Sequence, residues 1–134
     1  WDMTENPTVE HPEIWRIFSG EDGKSQMEKL DVKMAPRGLA GLASAAFPAT
    51  AVQVVYIPPD QEVRWHNAPR RQVVVTVAGE GELETGDGQV LVLRPGKMTV
   101  VEDVEGEGHL TRPRGSAGRL VLFIPLAEGV GLKG

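Results

Sequence analysis

The sequence contains no cysteine, so neither a disulfide nor a thiolate metal site is open to it, and that count alone leaves the compartment undecided. Long apolar runs are missing too. None approaches the roughly 20 residues of a membrane-spanning helix, and no membrane partner is expected. The opening residues lack the basic-then-apolar pattern of a secretory leader, which points to a cytoplasmic protein. Basic charge is scarce: 14 Lys and Arg stand against 19 Asp and Glu, a formal net charge of −5. Nucleic-acid binding needs a concentrated basic surface. The nearest thing to one, Arg112 with Arg114, is too small, so no nucleic-acid partner is expected. Gly23-Lys24-Ser25 has the ending of a phosphate loop, but Phe18 stands where that motif requires its first glycine. No nucleotide cofactor is expected. A long amphipathic helix and a repeat of solenoid period are absent as well.

What remains is a chain of 134 residues, enough for one domain with a sizeable core. Residues 1–12 are polar, carry Pro7, His11 and Pro12, and read as an arm; residues 13–134 read as one domain. Glu13 to Phe18 is a strand candidate whose Ile14, Trp15, Ile17 and Phe18 seek burial. Met27 to Met34 alternates weakly and predicts another strand. Ala35 to Ala49 is rich in Ala and Gly without a clean period, and reads as a loop with one helical turn. From Ala51 the character changes. AVQVVYIPP, EVRWH, QVVVTVAG, GELETG, QVLVLRPG, KMTVVED, GHLTRP and RLVLFIPL follow one another, with Gly, Pro or Asp at nearly every join. Many short strands so punctuated predict an all-β sandwich or barrel. Asp87-Gly88 suits a tight hairpin, and Pro95-Gly96 a type II turn.

The candidate site centres on Arg64 to Gly79. Strand side chains alternate between two faces, so Arg64 and His66 share one face while Val63 and Trp65 share the other. On the next strand Gln72, Val74 and Thr76 point one way, and Val73, Val75 and Val77 the other. His66 and Gln72 flank a turn through Asn67, Ala68 and Pro69 and converge on one interior. His109 lies in a GEGHLTR segment whose glycines permit a sharp bend and a close backbone approach, and Thr111 shares its face. Arg70 and Arg71 have the plain role of solvated turn charges; ahead of Gln72, Arg70 is also a candidate for an anionic or carbonyl-bearing ligand. Arg64 is the better candidate if its face is interior, with Glu62 as its partner. Tyr56 joins the ligand-contact candidates, although packing is its simpler role. The acidic run from Glu102 to Glu107 reads most simply as a solvent-exposed loop.

His66, Gln72 and Gly79, followed by Pro95-Gly96 and His109, resemble the two motifs of the cupin superfamily, over roughly Ala51 to Pro125. The resemblance implies a jelly-roll barrel, or double-stranded β-helix, enclosing a pocket. It also implies a divalent metal (manganese, iron, nickel or zinc) held by His66, Gln72 and His109. Two departures weaken that ligand set. Ala68 stands where the family's second histidine belongs, and the amide Gln72 replaces its carboxylate. Glu102 is the nearest replacement ligand. Cupins of this size commonly dimerise through their N-terminal strands, so a homodimer is expected, with Trp15 to Phe18 as its apolar surface.

Two function classes follow. In the first, the chain is an isomerase, lyase or cyclase acting on a small carbonyl or enolisable compound. His66 and His109 are its catalytic residues, Arg64, Arg70, Gln72, Thr76, Tyr56 and Thr111 contact the substrate, and a metal assists or is dispensed with. An oxygenase is less favoured, since redox iron takes more and stronger ligands. In the second, the same pocket only captures a small molecule, as a sensor or carrier; Ala68 favours this reading, and the lack of any output domain opposes it.

Overall fold

The computed structural model describes residues 11–39 and 41–129. The arm expected over residues 1–12 therefore lies outside the described residues except for its last two. The chain enters through a hairpin of β1 (Glu13–Ser19) and β2 (Ser25–Asp31), closed by a turn in which Gly23 holds a left-handed φ of 84°. Ile14 and Ile17 of β1 are buried, as their apolar spacing demands. The Ala- and Gly-rich stretch after it forms no helical turn. It makes two short strands paired with each other, β3 (Ala35–Pro36) and β4 (Leu42–Ala43), because a segment without a period offers no face to bury.

The remaining strands come from the punctuated half of the chain: β5 (Gln53–Ile57), β6 (Gln72–Ala78), β7 (Gly81–Glu84), β8 (Val90–Leu93), β9 (Met98–Val101), β10 (Leu110–Pro113) and β11 (Arg119–Pro125). They sort into a six-stranded sheet in the order β2-β1-β9-β6-β11-β5 and a three-stranded sheet in the order β10-β7-β8. After β6 the chain crosses to the smaller sheet for β7 and β8, returns for β9, crosses again for β10 and returns for β11. β1 and β9 run parallel; the other ladders are antiparallel. Both sequence-predicted turns form. Gly88 (φ 89°) closes β7 onto β8, and Gly96 (φ 94°) carries a turn in which the Lys97 amide donates to the Arg94 carbonyl at 2.8 Å.

Period-two patterning of β6 divides the core as the sequence predicts. Val73 joins Ile14, Val100 and Leu126 on the outer face of the large sheet, where Phe47 packs over them. The second cluster, with Ile17, Leu83, Leu91, Leu93 and Val101, lies between the sheets. Fully burying one such aliphatic side chain is worth about 1.5–3 kcal/mol, so the inner cluster holds the two sheets together and the outer one pins the segment bearing Phe47 onto the large sheet. One expectation needs correction. EVRWH is not a strand: it touches the rest of the fold's ladders only through a single bridge between His66 and His109. β1 sits inside its sheet between β2 and β9, with Ile17 buried and Trp15 and Phe18 half-buried. Among the described residues there is no helix long and apolar enough to cross a membrane.

Candidate functional site

Between the two sheets, and roofed by the segment from Pro58 to Pro69, lies a cavity of about 470 Å³. Gln72, Val74 and Thr76 line it from β6, while Val73 and Val75 turn away into the outer cluster. Arg64 and His66 also line it and Val63 and Trp65 do not, so the parity read from the sequence survives even without a strand there. His109 and Thr111 enter from the smaller sheet's side. Tyr56 borders the cavity but is 63% exposed and belongs to its mouth. Arg70 is exposed and does not reach the cavity. That candidate is corrected: the turn at Pro69 leaves it pointing outward.

The two histidines are brought together by the backbone. Each donates its amide to the other's carbonyl at 2.9 Å, and their rings sit 4.7 Å apart, centroid to centroid, tilted by 58°. Gly108 makes this approach possible. Its φ is 78°, and a Cβ at that position would collide with the His66 carbonyl. The loop carrying Gly108 is fixed in turn by Ser25, whose hydroxyl donates to the Gly108 carbonyl at 2.7 Å. Asn67 donates to the carbonyls of Asp103 (3.2 Å) and Gly106 (3.0 Å), and the Ala68 amide reaches the Asp103 carbonyl at 3.2 Å. Two loops distant in sequence are thus stitched into one wall.

The same stitching places a carboxylate that sequence reading missed. Asp103 is fully buried, and its Oδ2 lies 2.5 Å from His109 Nδ1. A carboxylate oxygen accepts, so Nδ1 carries the proton, and in the neutral imidazole Nε2 keeps its lone pair. His66 is in the same state, since its Nδ1 donates to the Arg64 carbonyl at 3.0 Å. The other Asp103 oxygen is buried without a hydrogen-bond partner, so the imidazole is the one group this side chain serves. The acidic run is therefore not simply a solvent loop. Glu102 is engaged as well: Arg16 Nε donates to it at 2.5 Å, and Arg71 donates through both Nε and Nη2. That occupation removes it as a replacement metal ligand.

Three further arginines meet the cavity wall in different states. Arg64 is exposed. Arg112 is held by Glu84 and Glu82, each at 2.9 Å, and these hydrogen bonds raise its guanidinium above the ordinary value. Arg119, which sequence reading missed, is 6% exposed, and burial pulls its guanidinium below the ordinary arginine range. A signal for it existed, because Arg119 has the same parity as the inward-facing Val121 and Phe123. Asp103 had a weaker one, an acid six residues before a glycine-flanked histidine.

As a metal site the wall offers two imidazoles, from His66 and His109, and the amide oxygen of Gln72. Ala68, where the cupin motif has a histidine, is 4% exposed and packs in the core between the sheets. Among the described residues no group of three or more His, Cys, Asp or Glu is placed to hold a metal ion. The donor set is partial, with room for water.

No family model matches the chain, and no curated protein matches it. Among solved structures, the crystal structure of protein NMB1881 from Neisseria meningitidis is similar to it, with 26% sequence identity over 57% of this chain and 72% of that one, at a TM-score of 0.41.

Proposed function

We propose that this chain is a small cupin-like jelly-roll enzyme that moves a proton on a small enolisable carbonyl compound, as an isomerase, lyase or cyclase does. The observation that carries this reading is the buried Asp103–His109 pair beside His66 on the cavity wall. A carboxylate spent on one imidazole orients the ring, selects the tautomer with a free Nε2, and stabilises the imidazolium that forms when Nε2 takes a proton. A structural histidine does not need a carboxylate of its own in the interior, where burying one is costly.

In the proposed reaction, Nε2 of His109 removes a proton from the carbon next to the substrate carbonyl. The C–H electron pair becomes the new C=C bond, and the carbonyl π pair moves to oxygen as the enolate. The Gln72 amide and Arg64 offer N–H donors to that oxygen. Return of the proton from His109, or from His66 once protonated, to a second atom completes an isomerisation; expulsion of a leaving group from the enolate completes an elimination. His66, Gln72 and His109 would also be the residues to hold a divalent cation. Such an ion would supply Lewis acidity toward the carbonyl oxygen.

The test is solvent hydrogen exchange. In D2O, the protein should label enolisable ketones faster than buffer does. His109→Gln should slow that labelling by about 100-fold, the lower end of general-base contributions. If ketones bind but no member of a ketone panel exchanges above background, the function passes to the non-catalytic sensor or carrier reading, which Ala68 at the second-histidine position favours.

A further inference from the structure

Arg119 raises a question that the proton chemistry does not answer. Its side chain is almost wholly buried on the wall of the cavity, and its Nη1 has no hydrogen-bond partner. Burial lowers its guanidinium below the ordinary value, and among the described residues no acidic group offsets that. Buried charge is normally paired, and an unsatisfied buried group in a native fold calls for a reason. The fold also makes deliberate room for it. Gly79, with a φ of 80°, and Gly81 leave a slot along its stem; a Cβ on Gly81 would come within 3.0 Å of Arg119 Nε and 3.1 Å of its Cδ. The other arginines on the wall do not share this state: Arg112 is matched by Glu82 and Glu84, and Arg64 is open to water.

Position adds a length. Pro113 pairs with Gly81, against which Arg119 is braced, whereas His109 precedes the other end of β10. Four residue steps separate His109 from Pro113, about 13 Å along an extended strand. Between them the wall is mainly apolar, with Val74, Leu83, Leu93 and Phe123 beside the hydroxyls of Thr76 and Thr111. A guanidinium is the natural receptor for a carboxylate, which it binds in a two-pronged, charge-assisted fork. We propose that Arg119 anchors the carboxylate of an elongated oxo acid, whose carbonyl end reaches His109 across an apolar middle. This rests on the proton-transfer reading for the role of the far end and names the substrate class for it.

The probes are 9-oxodecanoate, an oxo acid with a chain of methylene groups between its ketone and its carboxylate, and methyl 9-oxodecanoate, its neutral ester. Binding is followed by NMR titration. The intact protein should bind the acid at least about tenfold more tightly than the ester, the discrimination expected of one desolvated ion pair. Arg119→Met, which keeps the stem and removes the charge, should abolish that preference, while Arg70→Gln should keep it. Without ligand, Arg119→Met should melt at the same temperature as the parent or higher, since an unmatched buried cation has been removed. Equal binding of acid and ester, including no binding of either, overturns the assignment, and so does a preference that survives Arg119→Met. A fall of several degrees in the melting midpoint would make Arg119 a structural brace and overturn it as well. Exchange is read separately: acid preference without solvent exchange leaves the anchor standing and sinks the catalytic reading.

Discussion

The Glu102 cluster and the Arg119 site are both built from charge inside the fold, and they differ in how much of that charge is matched. Glu102 is 9% exposed at its side chain and receives donors from Arg16 on β1 and Arg71 at the start of β6; Arg16 also pairs with Glu28 at 2.9 Å. The cluster ties β1, β2 and the end of β9 to the β6 entry, and both Glu102 oxygens are engaged within it. At the cavity the matching is incomplete: Asp103 serves one imidazole with one oxygen and leaves the other without a partner, and Arg119 Nη1 has no hydrogen-bond partner among the described residues. Matched buried charge braces a fold. Unmatched buried charge on a cavity wall costs stability and is retained where a ligand completes it.

Glu102→Ala should give the largest stability loss, about 3 kcal/mol, because it strands two partly buried guanidinium groups. Chemical denaturation measures this, and replacing Glu102, Arg16 and Arg71 together by apolar residues should recover much of the loss. A Glu102→Ala protein as stable as its parent would erase the distinction between the two regions. Asp103→Asn acts on the other side of it. Solvent exchange should fall by about 10- to 100-fold or more, the lower figures being those for losing the hydrogen-bond partner behind a metal-bound histidine, and the exchange–pH profile should change shape. An unchanged profile with a lowered melting midpoint would make Asp103 a packing residue.

The smallest effect lies in the β7–β8 hairpin, at the exposed Asp87. Burial pushes the Asp87 carboxyl up, but hydrogen bonds from Thr85 Oγ1 (2.6 Å) and Gln89 Nε2 (2.6 Å) outweigh it and hold the group below its ordinary value of 3.8. A depressed carboxylate adds stability that is fully present above the unfolded-state value and is lost as pH falls toward the folded one. Asp87→Asn should therefore cost a few tenths of a kcal/mol at neutral pH, as for an exposed pair, and nothing once the pH has fallen below the folded-state value. A loss that persists in acid would point to shape, not charge.

Much of this was legible in the order of residues. Alternation in QVVVTVA placed Gln72, Val74 and Thr76 on the cavity and Val73 and Val75 behind it. The Asp-Gly and Pro-Gly pairs marked turns that form, and the glycines before His109 signalled the close approach that Gly108 makes. EVRWH misled because its alternation is real but no neighbouring strand pairs with it beyond one bridge. Arg70 misled because a turn residue's direction depends on the chain after Pro69.

Local stereochemistry determined the strands, their faces and their turns, since each depends on residues within a few positions of one another. Whether a charge is matched depends on residues far apart in the chain. Arg71 finds Glu102 and Arg16 lies 86 positions from it, while the loops bearing His66 and His109 meet across a 43-residue gap closed by one bridge. No periodicity encodes those meetings. Only the packing of the two sheets decided that Glu102 would be saturated, that its neighbour Asp103 would turn inward to a histidine, and that Arg119 would face a cavity without a partner.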